Sequence, residues 1–178
     1  WLLMSKYSNP DVGIISNVGS AHVERLGNLK NIAIAKCEIA SNLKKDGLFI
    51  GIDSERIKEN LKYDGKKIFI NPNMATDIKT AIDLTEFTYK DTRYIINQSG
   101  EYNISNALLV IEAALNKDIP QEKIKEGLFN YRPIEKRWEK VNVNGYSIIN
   151  DSYNANPESM HAVLKTFLSI YIRNINDG

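Results

Sequence analysis

The spacing of apolar residues along this chain changes several times, and each change predicts an element. "DVGIISNVG" (11–19) is a short apolar run closing on glycine, which predicts a buried strand. From Asn28 onward, Leu29, Ile32, Ile39, Ala40 and Leu43 share one face at 3/4 spacing. That predicts a helix over 28–45 with Gly47 as its C′ residue. "GLFIGID" (47–53) is the next apolar run. Strand, helix and strand at this spacing make a βαβ unit, so a parallel sheet is expected. "ERIKENLK" predicts a short polar helix and "KKIFI" another strand. "FTYKDTRYIIN" (87–97) alternates around a polar centre and predicts a hairpin.

Further on, "GEYNISNALLVIEAALNKD" predicts a helix with Ile104, Leu108, Ile111 and Leu115 on one face, and "PQEKIKEGLFNY" predicts a second. "WEKVNVNGYSIIND" predicts a hairpin turning at Asn144-Gly145. In "NPESMHAVLKTFLSIYI", Asn156 is the expected N-cap and Pro157 the first helical residue. Met160, Val163, Leu164, Phe167 and Leu168 form the face expected to be buried. The sequence contains no internal repeat and no low-complexity segment. A domain boundary is expected in the Pro-bearing connection "YRPIEKRW" (131–138), dividing 1–136 from 137–178.

Composition narrows the class. Of 178 residues, 43% are hydrophobic and 25% charged, the balance of an ordinary globular protein, and the formal net charge is +1. Nothing in that balance points to a nucleic-acid or membrane surface. A single cysteine, Cys37, excludes an internal disulfide framework and fits a reducing cytoplasm, the expected location. No apolar run reaches transmembrane length, and the opening "WLLMSKYSNPD" has neither a basic n-region nor a cleavage-like site. The start without methionine and the stop just after an apolar helix suggest a chain cut at both ends.

Lys36 falls in the middle of the first helix's apolar stripe, where an ammonium is costly unless it is paired or chemically changed. One reading is that it snorkels its head to the helix edge. The other is that it is neutral and adds carbon dioxide; the resulting carbamate would be an oxygen ligand for a hard cation such as Mg²⁺. His22, fourteen positions earlier, follows the C-terminal end of a strand, where ligands sit in open α/β sheets; it also suits a plain loop. Cys37 reads as a small buried hydrophobe. Asn103 and Asn106, three apart at a helix start, suit plain caps or amides that read the edge of a base. Asp151 ends an apolar strand just before a helix N-terminus. It and Asn156 can shape a turn, or Asp151 can accept ribose hydroxyls while Arg137 and the helix end hold phosphate. The sequence contains no G-x-x-x-x-G-K-[ST] phosphate loop, zinc spacing, serine nucleophile elbow or G-x-G-x-x-G fingerprint.

Four blocks together resemble the Mur ligase family, the ATP-dependent amide ligases of peptidoglycan precursor synthesis. "NVGSAHVERLGNLKNIAIAKCEI" is similar to the central-domain segment whose histidine binds a second magnesium and whose lysine is carbamylated, which implies those roles for His22 and Lys36. "GEYNISNALLVIEAAL" resembles the G-x-[HY]-N-x-x-N block, which implies that Asn103 and Asn106 approach adenine. "KRWE" resembles the G-R-[MWL]-E junction, implying that Arg137 faces the nucleotide; Lys136 stands where the family has glycine. "NDSYNANPESM" has the form typical of the member that adds D-alanyl-D-alanine, implying ribose for Asp151 and a cleft lined by Tyr153, Asn154 and Asn156.

The resemblance covers nearly the whole chain and is weak over 54–86. It implies an α/β fold: part of a mostly parallel-sheet, P-loop-type ATPase central domain (1–136) lacking its P-loop strand and helix, then the start of a Rossmann-like C-terminal domain (137–178). It further implies ATP and Mg²⁺ as cofactors. The implied substrates are UDP-MurNAc-tripeptide and D-Ala-D-Ala, joined through an acyl phosphate. Such a fragment is expected to be inactive alone. A non-catalytic nucleotide- or magnesium-binding remnant, or a partner subunit, is the first alternative. A folylpolyglutamate- or cyanophycin-type ligase is the second, and "DSYNANPESM" argues against it. Oligomeric state is left open.

Overall fold

The computed structural model describes residues 1–21, 23–81 and 83–171. Contacts gather them into two compact units: residues 1–74 with 105–124, and 75–104 with the described residues from 125 onward. This division runs through other points than the 136/137 boundary read from the sequence.

The first unit is built on strand–helix alternation. Helix α1 (Leu2–Ser8) leads into β1 (Val12–Ile15), and α2 (Val23–Leu26) and α3 (Leu29–Cys37) precede β2 (Leu48–Ile52). Then α4 (Glu55–Asn60) leads to β3 (Lys66–Ile70). The three strands pair in parallel in the order β1-β2-β3, with Val12 opposite Leu48 and Leu48 opposite Lys66. Residues 48–51 of β2 are all buried, as in a parallel strand covered on both faces. The core gathers Ile15, Cys37, Ala40, Phe49 and Ile57, with Ile39, Leu43 and Phe69 packed on it.

Asn28, where the helix was expected to begin, is the N-cap of α3, its Oδ1 accepting from Asn31 N at 2.9 Å. The helix is shorter than the 3/4 pattern suggests. Its α turns end at Cys37, and Glu38–Asn42 continue as a 3₁₀ turn, a common way for a helix to tighten at its C-terminus. Leu43 is already extended, so Gly47 is not the C′ residue; its N–H closes a separate turn onto Lys44 O at 2.8 Å. The strand expected over 11–19 likewise ends at Ile15, where its pairing with β2 stops.

The second unit is antiparallel. β4 (Thr76–Ala81), β5 (Leu84–Tyr89) and β6 (Thr92–Ile96) form a sheet in that order. The expected hairpin turns at Lys90 and Asp91, both with positive φ. Phe87 and Tyr94 stack across it at 5.7 Å. β4 had no sequence signal: "TDIKTA" is exposed at every position. Residues of α5 (Glu101–Leu115) and α6 (Gln121–Asn130) are divided between the units. Ile104, Leu108 and Ile111 of α5 are buried, as their spacing predicts.

β7 (Glu139–Val143) and β8 (Tyr146–Asn150) form the hairpin closed by Asn144-Gly145, with φ of 51° and 84°. The last helix, α7 (Pro157–Tyr171), reverses the expected face. Met160, Leu164, Phe167 and Leu168 are exposed and Val163 is half-buried, while Thr166 and Ile170 are buried. Spacing finds a stripe but not what stands opposite it. Here the side carrying Thr166 and Ile170 turns inward, with Thr166 close to Gly100, whose φ is +100°. A Cβ on Gly100 would lie 2.6 Å from Tyr102 Cε1 and 3.0 Å from Thr166 Oγ1.

Candidate functional site

Of the sequence-predicted residues that the structure describes, Lys36 and Asn106 belong to the first unit, and Asn103, Arg137, Asp151, Tyr153, Asn154 and Asn156 to the second. In the first unit, Lys36 stands in the last turn of α3, and its Nζ donates to Asn17 O at 2.9 Å and to Asn17 Oδ1 at 3.2 Å. The side chain is half-buried rather than hidden. It lines a cavity of about 130 Å³ with Ile14, Ile15, Ser16, Asn17 and Ile39. Burial holds the Lys36 ammonium below the ordinary lysine range, which raises the neutral fraction at any given pH. His22 lies outside the described residues. Among the described residues, no three His, Cys, Asp or Glu side chains gather as a metal site. Neighbouring Cys37 is a buried hydrophobe, as read from the sequence, its thiol pushed up to about 11 by burial.

In the second unit, the structure brings Tyr102, Asn103, Arg137, Asp151 and Tyr153 into one neighbourhood. The Arg137 guanidinium carbon sits 4.2 Å from the centre of the Tyr153 ring, a cation–π stack. Asp151 Oδ1 accepts from Trp138 N at 2.9 Å, and Lys136 O accepts from Tyr153 N at 3.0 Å. Tyr102 was not singled out from the sequence, although it stands beside Asn103 in "GEYN". Its hydroxyl is raised above the usual tyrosine range, first by burial and then by the Asp151 charge; the Asn103 hydrogen bond and Arg137 oppose the shift. It also borders a cavity of about 540 Å³ whose walls include Thr80, His161, Lys165 and Thr166.

Asn103 Nδ2 donates to Ser99 O at 2.8 Å, a bond to its own helix start. Asn106 is exposed one turn further along α5. Asn156 is the N-cap the sequence suggested: its Oδ1 accepts from Ser159 N at 2.9 Å, and Ser159 Oγ accepts from Asn156 N at 3.1 Å. Asn154 and Tyr153 are exposed. The neighbourhood offers a guanidinium for phosphate, a carboxylate for hydroxyls and aromatic faces for a planar group.

The model of the Mur ligase middle domain matches residues 3–114. The chain belongs to the Mur ligase family. Lys36, Asn103 and Asn106 lie inside the matched segment, and Arg137, Asp151 and Tyr153 beyond it. Among curated Mur ligases, the UDP-N-acetylmuramoyl-tripeptide–D-alanyl-D-alanine ligase of Bacillus subtilis (strain 168) is 34% identical over 170 residues, covering 92% of this chain and 37% of that protein. A crystal structure of MurF from Acinetobacter baumannii superposes with a TM-score of 0.86 at 26% identity, covering 94% of this chain and 39% of that one. The MurF ligase of Thermotoga maritima, solved in complex with ADP, shares the fold at a TM-score of 0.78 and 21% identity, covering 94% and 41%. The chain thus spans about two fifths of the length of these Mur ligases. Among the described residues, no helix is long and apolar enough to cross a membrane.

Proposed function

We propose that this chain serves an ATP-dependent amide ligase that adds D-Ala-D-Ala to UDP-MurNAc-tripeptide in the cytoplasm. The observation that carries the reading is the second-unit neighbourhood of Tyr102, Asn103, Arg137, Asp151 and Tyr153 in a chain of the Mur ligase family. The similarity to the Bacillus subtilis ligase supports the choice of substrates.

In the proposed reaction a carboxylate oxygen of the tripeptide attacks the γ-phosphorus of ATP. ADP leaves and an acyl phosphate forms. The amine of D-Ala-D-Ala then attacks the acyl carbon, phosphate leaves, and the amide remains after the nitrogen gives up a proton. Arg137 balances phosphate charge and Asp151 accepts from ribose hydroxyls; its carboxylate has acceptor sites beyond the one used by Trp138 N. Asn103 and Asn106 face the base, and Tyr153, Asn154 and Asn156 line the cleft. Lys36 fits a carbamate: its amine is shifted toward neutrality and opens on a small cavity edged by the oxygens of Asn17. Carbamylated Lys36 and His22 would hold Mg²⁺, whose chemistry when bound is to neutralise charge between carboxylate and phosphate.

The test is to isolate the protein carrying this sequence from its native host and supply ATP, UDP-MurNAc-tripeptide and D-Ala-D-Ala. Release of phosphate together with a pentapeptide product of the matching mass is expected. Phosphate release only with a different acceptor, or none with any, would sink the reading. Intact mass spectrometry of the same sample should find carbon dioxide added at Lys36.

A further inference from the structure

The connection that carries Arg137 holds two non-glycine residues in the left-handed region, Lys136 at φ 63° and Trp138 at φ 50°. Side chains disfavour that conformation, so something must hold it. Two carboxylates from the ends of the β7–β8 hairpin do so. Glu139 Oε2 accepts from Lys136 N at 3.0 Å, and Asp151 Oδ1 accepts from Trp138 N at 2.9 Å. They seize the N–H groups on either side of Arg137 and leave its side chain directed onto Tyr153.

We infer that Glu139 is a positioning residue: its carboxylate pins the Lys136 backbone in the left-handed conformation and thereby aims Arg137, with Asp151 as the second pin. Glu139 is itself fixed. The same Oε2 accepts from Asn150 Nδ2 at 3.1 Å, across the register pair Glu139–Asn150, and Asn150 Oδ1 in turn accepts from Ser152 Oγ at 2.7 Å. Two donors converging on one oxygen suit an ionised carboxylate, which accepts several strong hydrogen bonds at once. The inference rests on the nucleotide reading only for what Arg137 does once it is aimed.

The test reads the aim of Arg137 directly, by the ring-current displacement that Tyr153 imposes on the Arg137 side-chain protons in NMR spectra of the full chain. E139A is expected to lose most of that displacement with the rest of the spectrum still native. E139Q, which keeps an acceptor oxygen on the same stem, should retain most of it, and Lys136→Gly added to E139A should restore it. An unchanged Arg137 in E139A overturns the inference, as do equal losses in E139A and E139Q. If E139A does not fold, N150A serves in its place; it removes the donor that fixes Glu139 together with the acceptor used by Ser152, and an unchanged Arg137 there overturns the inference too. A parallel titration with ADP is expected to show affinity weakened about tenfold in E139A. Loss of the displacement with ADP affinity unchanged upholds the positioning role and overturns the nucleotide reading of Arg137.

Discussion

The parallel sheet of the first unit and the β7–β8 hairpin of the second are both made of short strands, but they are held by different means. β2 reads LFIGI, and its first four residues are buried. β7 and β8 bring Val143, Tyr146 and Ile148 to the surface, with Tyr146 74% exposed. A parallel strand covered on both faces is specified by apolar content and by the helices that the chain must interpose. An exposed hairpin has no such reward. Its geometry comes from the conformation of its turn and from side chains that bind backbone groups at its open end.

Substitutions should separate these two kinds of order. Phe49→Ala removes a fully buried ring from the first core and should cost about 3–5 kcal/mol in chemical denaturation, whereas Ile148→Ala should cost under about 0.5 kcal/mol. Comparable losses at the two positions would end the contrast. Gly145→Ala meets nothing within 4 Å, yet places a side chain at φ 84°. It should cost about 1–2 kcal/mol and loosen the hairpin amides to hydrogen exchange, although no contact is lost. Asn28→Ala removes the cap of α3 and should cost about 1 kcal/mol, with Asn28→Asp retaining most of the stability.

The smallest effect concerns Asp11, bonded by Lys44 Nζ at 3.0 Å to each carboxylate oxygen and 3.9 Å from Lys117. The Lys44 bond holds the Asp11 carboxyl below the usual range, so the unfolded chain takes up the proton first as pH falls. The stabilisation is present above the unfolded pKa and is lost as pH falls through the lower folded one. Both side chains are about half exposed, so salt should mute the difference between the protein and Lys44→Met in an acid titration.

Sequence pattern reached furthest where burial decides the structure. β2, α5 and the parallel pairing of β1 with β2 were legible because apolar runs and 3.6-residue spacing register what the core demands. The Asn156 cap and the Asn144-Gly145 turn were legible because each is a local contract within a few residues of the chain; the Asn28 cap rests on the same kind of bond but was read only as a helix start. β4 was not, since its residues are exposed and its pairing with β5 answers to no apolar pattern. The inward face of α7 was not, because a stripe of large residues does not say which surface will receive it. At the candidate site, the sequence singled out Asn103, Arg137, Asp151 and Tyr153 but not the Tyr102 that lies among them. The loop that aims Arg137 was hidden, because its two left-handed residues, a lysine and a tryptophan, carry none of the usual signals for that conformation.

Gly100 leaves a different kind of mark. In a library that replaces every position in turn, survival at residue 100 should collapse to a single letter, since any side chain there meets Tyr102 and Thr166 at once. Gly127, with open space around it in the middle of α6, should accept most substitutions, and alanine should improve on it. Two glycines that look alike in one lineage would then part company in a population of variants, one immovable and the other free to drift.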